Sequence, residues 1–341
     1  MLDDLRKIHE RDPQDALGVA EKQWQQLVQD FECDVEPRTF ANIVLSGMGG
    51  SALSAYTAQD WLSLNVPFEI CRSYDAPGYV GPDTLFIASS HSGNTEETLS
   101  ALKQAMEKQA TIVVIASGGE LERIARESGY TFLRLPANFQ PRQVVFAGLK
   151  ALAVLFDAYG LTDGAVTELT TVSTKLQAGA ASYVPTQPTA QNLAKQIALE
   201  CMGKSVVIYS GPKLASAAYK WKISVNENAK QIAWWNQYSE FNHNEFLGWT
   251  GAPEQKPYTV IELRSILEHP QIQKRFEISA KLLSGKRPAP IVVEAEGETA
   301  LEQLLRTMVL GDFVAIYLAL LGNVNPTPID LIERLKHDLI S

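Results

Sequence analysis

The stretch "SSHSGNTEETLSAL", residues 89–102, joins the apolar run "DTLFIA" to a helix-patterned segment that opens with two acids. A short buried run, a polar loop with a glycine, and then an amphipathic repeat together read as a strand feeding a helix. The same grammar extends on both sides. Strands are predicted at 42–47, 67–73, 84–89, 111–117 and 131–135, with helices from Ala52 onward and at 95–109, 120–128 and 144–159. Such alternation indicates βαβ units around a mostly parallel sheet covered on both faces, a doubly wound α/β domain with three layers.

After a helical passage punctuated by Thr and Pro (165–188), the pattern returns. A helix is predicted at 189–201, a strand at 205–211, a helix at 213–229, a strand at 258–264, a helix at 270–284, a strand at 290–296, and helices at 300–321 and 328–340. The halves also rhyme, since "IVLSGMGGSALSAY" and "VVIYSGPKLASAAY" each run from an apolar strand through Ser-Gly into an Ala/Ser-rich helix. At 341 residues the chain exceeds the ~250–300 at which single cores stop growing, so two such domains are expected. They are placed at 1–164, with a helical N-terminal extension, and at 165–341, including the C-terminal helices.

A net charge of −9, with no basic patch or basic helix, argues against nucleic acid or an anionic membrane as the main partner. The opening "MLDDLRKIHERDPQD" is too charged for a signal peptide, and the apolar run at 307–322 is interrupted by Asp312, so a cytoplasmic protein is expected. Cys33, Cys71 and Cys201 form no C-x-x-C pair and read as buried thiols in a reducing compartment. The five histidines show no metal-ligand spacing, so a protein-built zinc site is not expected; no cofactor is expected either.

Within the opening stretch, Ser90, Ser92 and Thr95 offer hydroxyls, Gly93 permits close backbone approach, and Asn94 with Glu97 has capping-box spacing. The loop either caps a helix or holds a phosphate on hydroxyls and free helix N–H groups without any lysine or arginine. The phosphate reading requires Glu96 and Glu97 to point away from the anion. In the earlier loop, Gly47, Gly49 and Gly50 open the backbone at a strand-to-helix turn and Ser51 adds a hydroxyl. A dinucleotide site, with Arg72 taking an NADP phosphate, is disfavoured there because G-x-G-G-S is not G-x-G-x-x-G and the next strand ends "CRSYD" without an acid in the usual place.

Residues 222–249, "KISVNENAKQIAWWNQYSEFNHNEFLGW", lose helical and strand periodicity after Lys230 while concentrating acids, amides and aromatics. Such segments are usually functional or ordered by a partner. Taken alone, Glu227 is a solvated acid or a poised base, and His243 a satisfied core residue or an acid/base group. The aromatics Trp234, Trp235, Phe241, Phe246 and Trp249 fit an interface or internal packing equally well.

The set "GMGGSA", "SSHSGNTEET", "PRQ" (141–143), "NENAK", "FNHNE" and "IERLK", in that order along nearly the whole chain, resembles the bifunctional phosphoglucose/phosphomannose isomerases of the sugar isomerase (SIS) superfamily. The resemblance implies two SIS-type domains in which Ser90, Ser92 and Thr95 bind a sugar phosphate, while Gly49, Gly50 and Ser51 border the sugar. It further implies that Glu227 moves a proton between carbons 1 and 2. Arg142 would stabilise the enediolate, and His243 with Lys336 would assist ring opening. A homodimer is implied, its active site taking His243 from the neighbouring subunit. The approach to the histidine, "YSEFNHNEF", departs from the more usual proline-glutamate before N-H-N-E.

The residue types suit the reaction independently of the name. Aldose–ketose isomerisation removes a weakly acidic proton α to a carbonyl and returns it to the next carbon, so one carboxylate serves as base and then as acid. A guanidinium near the developing oxyanion lowers the barrier without a metal, and a histidine suits proton exchange at the ring oxygen. The activity that the resemblance implies, and that this chemistry suits, is metal-independent interconversion of glucose 6-phosphate, and mannose 6-phosphate, with fructose 6-phosphate. Thr327 in "NPTPID" is a candidate for the extra room that mannose requires. The alternatives are a non-catalytic sugar-phosphate sensor on the same fold, and the isomerase half of a glucosamine 6-phosphate synthase. The latter would need a glutamine-hydrolysing domain, for which a chain beginning Met1-Leu2-Asp3 is read as having no room.

Overall fold

In the computed structural model, which describes residues 1–251 and 257–340, the chain forms two compact units. One comprises Lys22–Gln177 and the other Met1–Glu21 together with Ala178–Ser341. In the first, β1 (Asn42–Ser46), β2 (Phe68–Cys71), β3 (Thr84–Ser90), β4 (Thr111–Ala116) and β5 (Thr131–Arg134) form a sheet of order β2-β1-β3-β4-β5. In the second, β6 (Ser205–Ser210), β7 (Ala233–Gln237), β8 (Tyr258–Arg264) and β9 (Ile291–Glu294) follow the order β7-β6-β8-β9. Every pairing between these strands is parallel. In both sheets the chain order reverses beside the first strand, which opens a crevice at the carboxyl ends of β1 and β3 and of β6 and β8.

Helices α1 (Leu5–Arg11), α2 (Ala16–Glu21), α3 (Gly49–Trp61), α4 (Glu96–Glu107), α5 (Gly119–Ser128), α6 (Val145–Tyr159), α7 (Ala165–Ala180) and α8 (Leu193–Cys201) precede the second sheet. They are followed by α9 (Ala215–Ala229), α10 (Glu245–Gly248), α11 (Pro270–Leu282), α12 (Ala300–Leu321) and α13 (Asp330–Ile340). Strand β3 is buried at every position, as its continuous apolar run implies. Val44, Phe86 and Val114 of the sheet pack with Leu102 of α4 and Leu121 of α5 in one core.

Strand β7 has no counterpart in the sequence reading. It is an edge strand whose side chains alternate poorly between inside and outside, so only its pairing to β6 defines it. Residues 1–21, which the sequence reading grouped with the first half, cluster with the second. Ile8, Leu17 and Ala20 bury apolar surface there, Arg11 Nη1 donates to the Leu320 carbonyl at 2.6 Å, and Lys195 Nζ reaches Asp3 Oδ1 at 3.1 Å.

Helix α12 is long and apolar enough to cross a bilayer by composition, yet 89% of its most apolar window is buried inside the protein. It packs on α9, and Trp221 of α9 donates its indole N–H to the Thr307 carbonyl at 2.7 Å. Asp312, the charge that interrupts the apolar run, accepts from Lys220 Nζ at 2.8 Å and Ser224 Oγ at 2.6 Å, all three side chains being buried. A core helix that carries a charge needs such partners.

Candidate active site

In the first unit the loop after β3 folds back on itself. Ser90 Oγ lies 2.8 Å from Thr95 Oγ1 and 3.4 Å from Ser92 Oγ, and also accepts the Gly93 N–H at 3.1 Å. Gly93 has φ +71°, and a Cβ there would lie 1.8 Å from the Gly118 carbonyl oxygen, so only glycine fits. Thr95 is the N-cap of α4 and makes no side-chain capping bond, which leaves its hydroxyl in the serine cluster beside the helix's first N–H groups. Three hydroxyls and the first N–H groups of a helix give donors suited to an oxygen-rich anion, although the first turn of that helix also carries Glu96 and Glu97.

The capping box expected of Asn94 and Glu97 is not formed. Asn94 Oδ1 instead accepts the Glu120 N–H at the start of α5 at 2.9 Å, tying the loop after β3 to that after β4. Glu96 Oε2 accepts from the Tyr74 hydroxyl at 3.3 Å.

Two further segments close on this loop. Ser51, in the first turn of α3, accepts the His91 N–H on Oγ at 3.2 Å. The His91 ring donates from Nε2 to the Pro136 carbonyl at 2.8 Å. Gly49 has φ +51°, and a Cβ on Gly50 would stand 2.4 Å from the Pro141 carbonyl oxygen. Arg142 lies in the short 3-10 turn Pro141–Gln143, braced by reciprocal bonds of Gln140 and Gln143, and is only 3% exposed. Gly49, Gly50, Ser51, Ser90, Ser92, Thr95 and the Arg142 turn therefore gather at the carboxyl ends of β1 and β3. His91, the bridge between them, was missed in the sequence because a lone histidine among serines carries no pattern.

In the second unit Glu227 is half-buried in the last turn of α9. His243 ends a 3-10 turn, Glu240–His243, and is exposed. The turn is held from both flanks. Asn242 donates to Ser279 Oγ at 2.9 Å and accepts from Arg275 at 3.2 Å, while Asn244 donates to Glu240 Oε1 at 2.5 Å. Glu245 accepts from Asn236 at 2.8 Å and from the Tyr209 hydroxyl, which in turn accepts the Trp249 indole N–H at 2.9 Å. Burial pushes the Tyr209 hydroxyl well above its usual range, so it stays a donor. Phe241 and Trp249 belong to an internal core with Tyr209, Tyr238 and Phe276, whereas Trp234 is half exposed and Trp235 stacks on Tyr219. Lys336 lies exposed on α13, and Thr327 is half-buried in the loop before it.

The crevice between β6 and β8 corresponds by strand order to the serine-lined one but is closed from within. Buried Glu268 of the loop after β8 accepts the Lys213 N–H at 2.7 Å, and a Cβ on Gly211 would lie 2.3 Å from its carboxylate. Among the described residues no group of three His, Cys, Asp or Glu side chains is placed to hold a metal ion.

Comparison with known proteins bears on the fold and the family. The SIS domain family matches residues 40–151, and the bacterial phospho-glucose isomerase C-terminal SIS domain family matches residues 190–339. The bifunctional phosphoglucose/phosphomannose isomerase of Caldicellulosiruptor bescii is 32% identical over 92% of this chain and 94% of its own. The chain is a member of the bifunctional phosphoglucose/phosphomannose isomerase family. Another member, from Aquifex aeolicus, is 32% identical over 91% of this chain and 93% of its own. A crystal structure of a glucose-6-phosphate isomerase like protein from Thermus thermophilus shares the fold, with a TM-score of 0.67 at 17% identity over 98% of both chains. As a bifunctional isomerase family member, the protein carries its hydroxyl cluster in the first SIS domain and its candidate acid/base groups in the second.

Proposed function

We propose that the protein interconverts glucose 6-phosphate and mannose 6-phosphate with fructose 6-phosphate through an enediolate, without a metal or cofactor, as a cytoplasmic homodimer. The observation that carries this reading is the Ser90–Ser92–Thr95 hydroxyl cluster at the N-terminus of α4, in a chain 32% identical to an enzyme named for this reaction.

In this reading the phosphate rests on Ser90, Ser92, Thr95 and the first N–H groups of α4, with Gly49, Gly50 and Ser51 against the sugar. Ring opening takes a proton from the anomeric hydroxyl and gives one to the ring oxygen, the work of His243 assisted by Lys336. Glu227 then removes the proton from carbon 2 of the open aldose, Arg142 balances the charge on the enediolate oxygens while the carbon-2 hydroxyl proton passes to the carbon-1 oxygen, and Glu227 returns its proton to carbon 1. The exposure of His243 on a well-braced turn fits its donation to a neighbouring subunit.

The test is a coupled assay of wild type and Glu227→Gln on all three sugar phosphates with EDTA present. Wild type should convert each, and the variant should lose about 10²–10⁴-fold in rate while still binding. Binding by wild type without conversion would leave the sensor reading in its place. For the shared site, mixing inactive Glu227→Gln and His243→Ala dimers should restore activity as hybrids form. A fully active monomer in light scattering would exclude it.

A further inference from the structure

Lys230, immediately after α9, occupies a position where helices commonly end in glycine. Its backbone is left-handed, with φ 52° and ψ 34°. A lysine is strained there relative to glycine, so its side chain should offer something in return. The ammonium lies among four carbonyl oxygens. Two belong to the end of α9, Glu227 at 2.8 Å and Asn228 at 3.4 Å. The other two belong to a loop almost a hundred residues further on, Asn325 at 3.1 Å and Pro326 at 3.4 Å.

A lysine that merely complemented the helix dipole would need only the first pair. The second pair makes it a clamp between distant segments. The clamped loop is itself ordered, since Asn325 Oδ1 accepts the Thr327 N–H at 3.0 Å and Asn325 Nδ2 donates to Gln14 at 2.9 Å. One ammonium therefore holds both the carbonyl of Glu227 and the residue next to Thr327.

We propose that Lys230 is a positioning residue that locks the Glu227-bearing end of α9 against the Asn325–Thr327 loop, and so sets how the carboxylate meets carbon 2 of either aldose. The proposal rests on the function proposed above, with Glu227 as the base. Glucose and mannose phosphates differ only in the configuration of that carbon. A displaced carboxylate would lose rate on both and would not lose it equally, whereas phosphate binding in the other unit would be untouched.

Lys230→Gly separates the clamp from helix termination, because glycine suits the left-handed backbone. Its melting temperature should equal or exceed that of wild type. Its kcat should fall about 10- to 100-fold with KM for fructose 6-phosphate nearly unchanged. The ratio of mannose 6-phosphate to glucose 6-phosphate turnover should move by about threefold or more. Lys230→Arg, which keeps a cation with several donors, should recover part of the rate and the ratio. Wild-type kcat and ratio in Lys230→Gly would overturn the proposal, as would losses in both variants that merely track falling melting temperatures. Wild type, assayed in parallel, separates the two failures: if it converts no hexose phosphate, the proposed function itself fails.

Discussion

Gly50 and Pro141 are packed so closely that a single methyl group on Gly50 would sit 2.4 Å from the Pro141 carbonyl oxygen. This contact seats the turn bearing Arg142 on the first turn of α3, where Ser51 accepts the His91 N–H. Gly50→Ala must push the Arg142 turn away. The expected result is a fall in kcat of about 10- to 100-fold. Its destabilisation, read by urea unfolding, should be about 1–3 kcal/mol.

The hydroxyl cluster makes a second prediction. Ser90 touches both Thr95 and Ser92 and receives the Gly93 N–H, so Ser90→Ala removes the centre of the cluster. A hydrogen bond to a charged group is worth about 1.5–3 kcal/mol, so KM for fructose 6-phosphate should rise about tenfold or more. The inhibition constant for inorganic phosphate should rise in parallel. An effect on the sugar alone would move the phosphate elsewhere.

The buried pair Lys220–Asp312 is structural. Lys220→Met leaves Asp312 among apolar side chains with only Ser224 of the partners described above, and should cost about 3–5 kcal/mol in urea unfolding. The double variant Lys220→Met/Asp312→Leu should regain most of that loss, because the desolvation cost disappears along with the attraction. A double variant as unstable as the single one would show that the pair contributes net stability.

Asp3 should give the protein a small acid-sensitive component. Hydrogen bonds from Thr189, then from Lys195, hold its carboxyl below the usual range. A folded-state pKa below the unfolded one means that the unfolded chain binds more protons in the window between them. The stabilisation is therefore complete above the ordinary aspartate pKa and is lost as pH falls through the depressed value. With the Asp3 side chain 57% exposed, solvent screening limits the effect to below about 1 kcal/mol. Asp3→Asn should be slightly less stable than wild type at pH 7, and the difference should vanish at strongly acid pH in melting curves.

Much of this protein follows from local sequence. Continuous apolar runs such as "TLFIAS" can satisfy neither water nor an alternating face, so they specify buried parallel strands, and β3 is buried throughout. The glycines and serines after β1 and β3 mark loops where the backbone must come close to something. Gly93 against Gly118 shows what that something is. The order of the motifs was enough to point to the family.

What local sequence leaves open depends on distant partners. Asn94 has the spacing to cap its own helix, yet it caps α5, because the tight glycine packing of the neighbouring loop brings the Glu120 N–H to it. Strand β7 has no pattern of its own and exists by pairing with β6. The first 21 residues join the second unit because their apolar face finds α12, hundreds of residues away, rather than the sheet that follows them. The crevice between β6 and β8 carries a carboxylate where the first carries hydroxyls, a difference set by Glu268 reaching Lys213 across two loops. Periodicity and composition act over a few residues and are written in the chain. Hydrogen bonds, ion pairs and close approaches between remote segments are decided only when the fold brings them together.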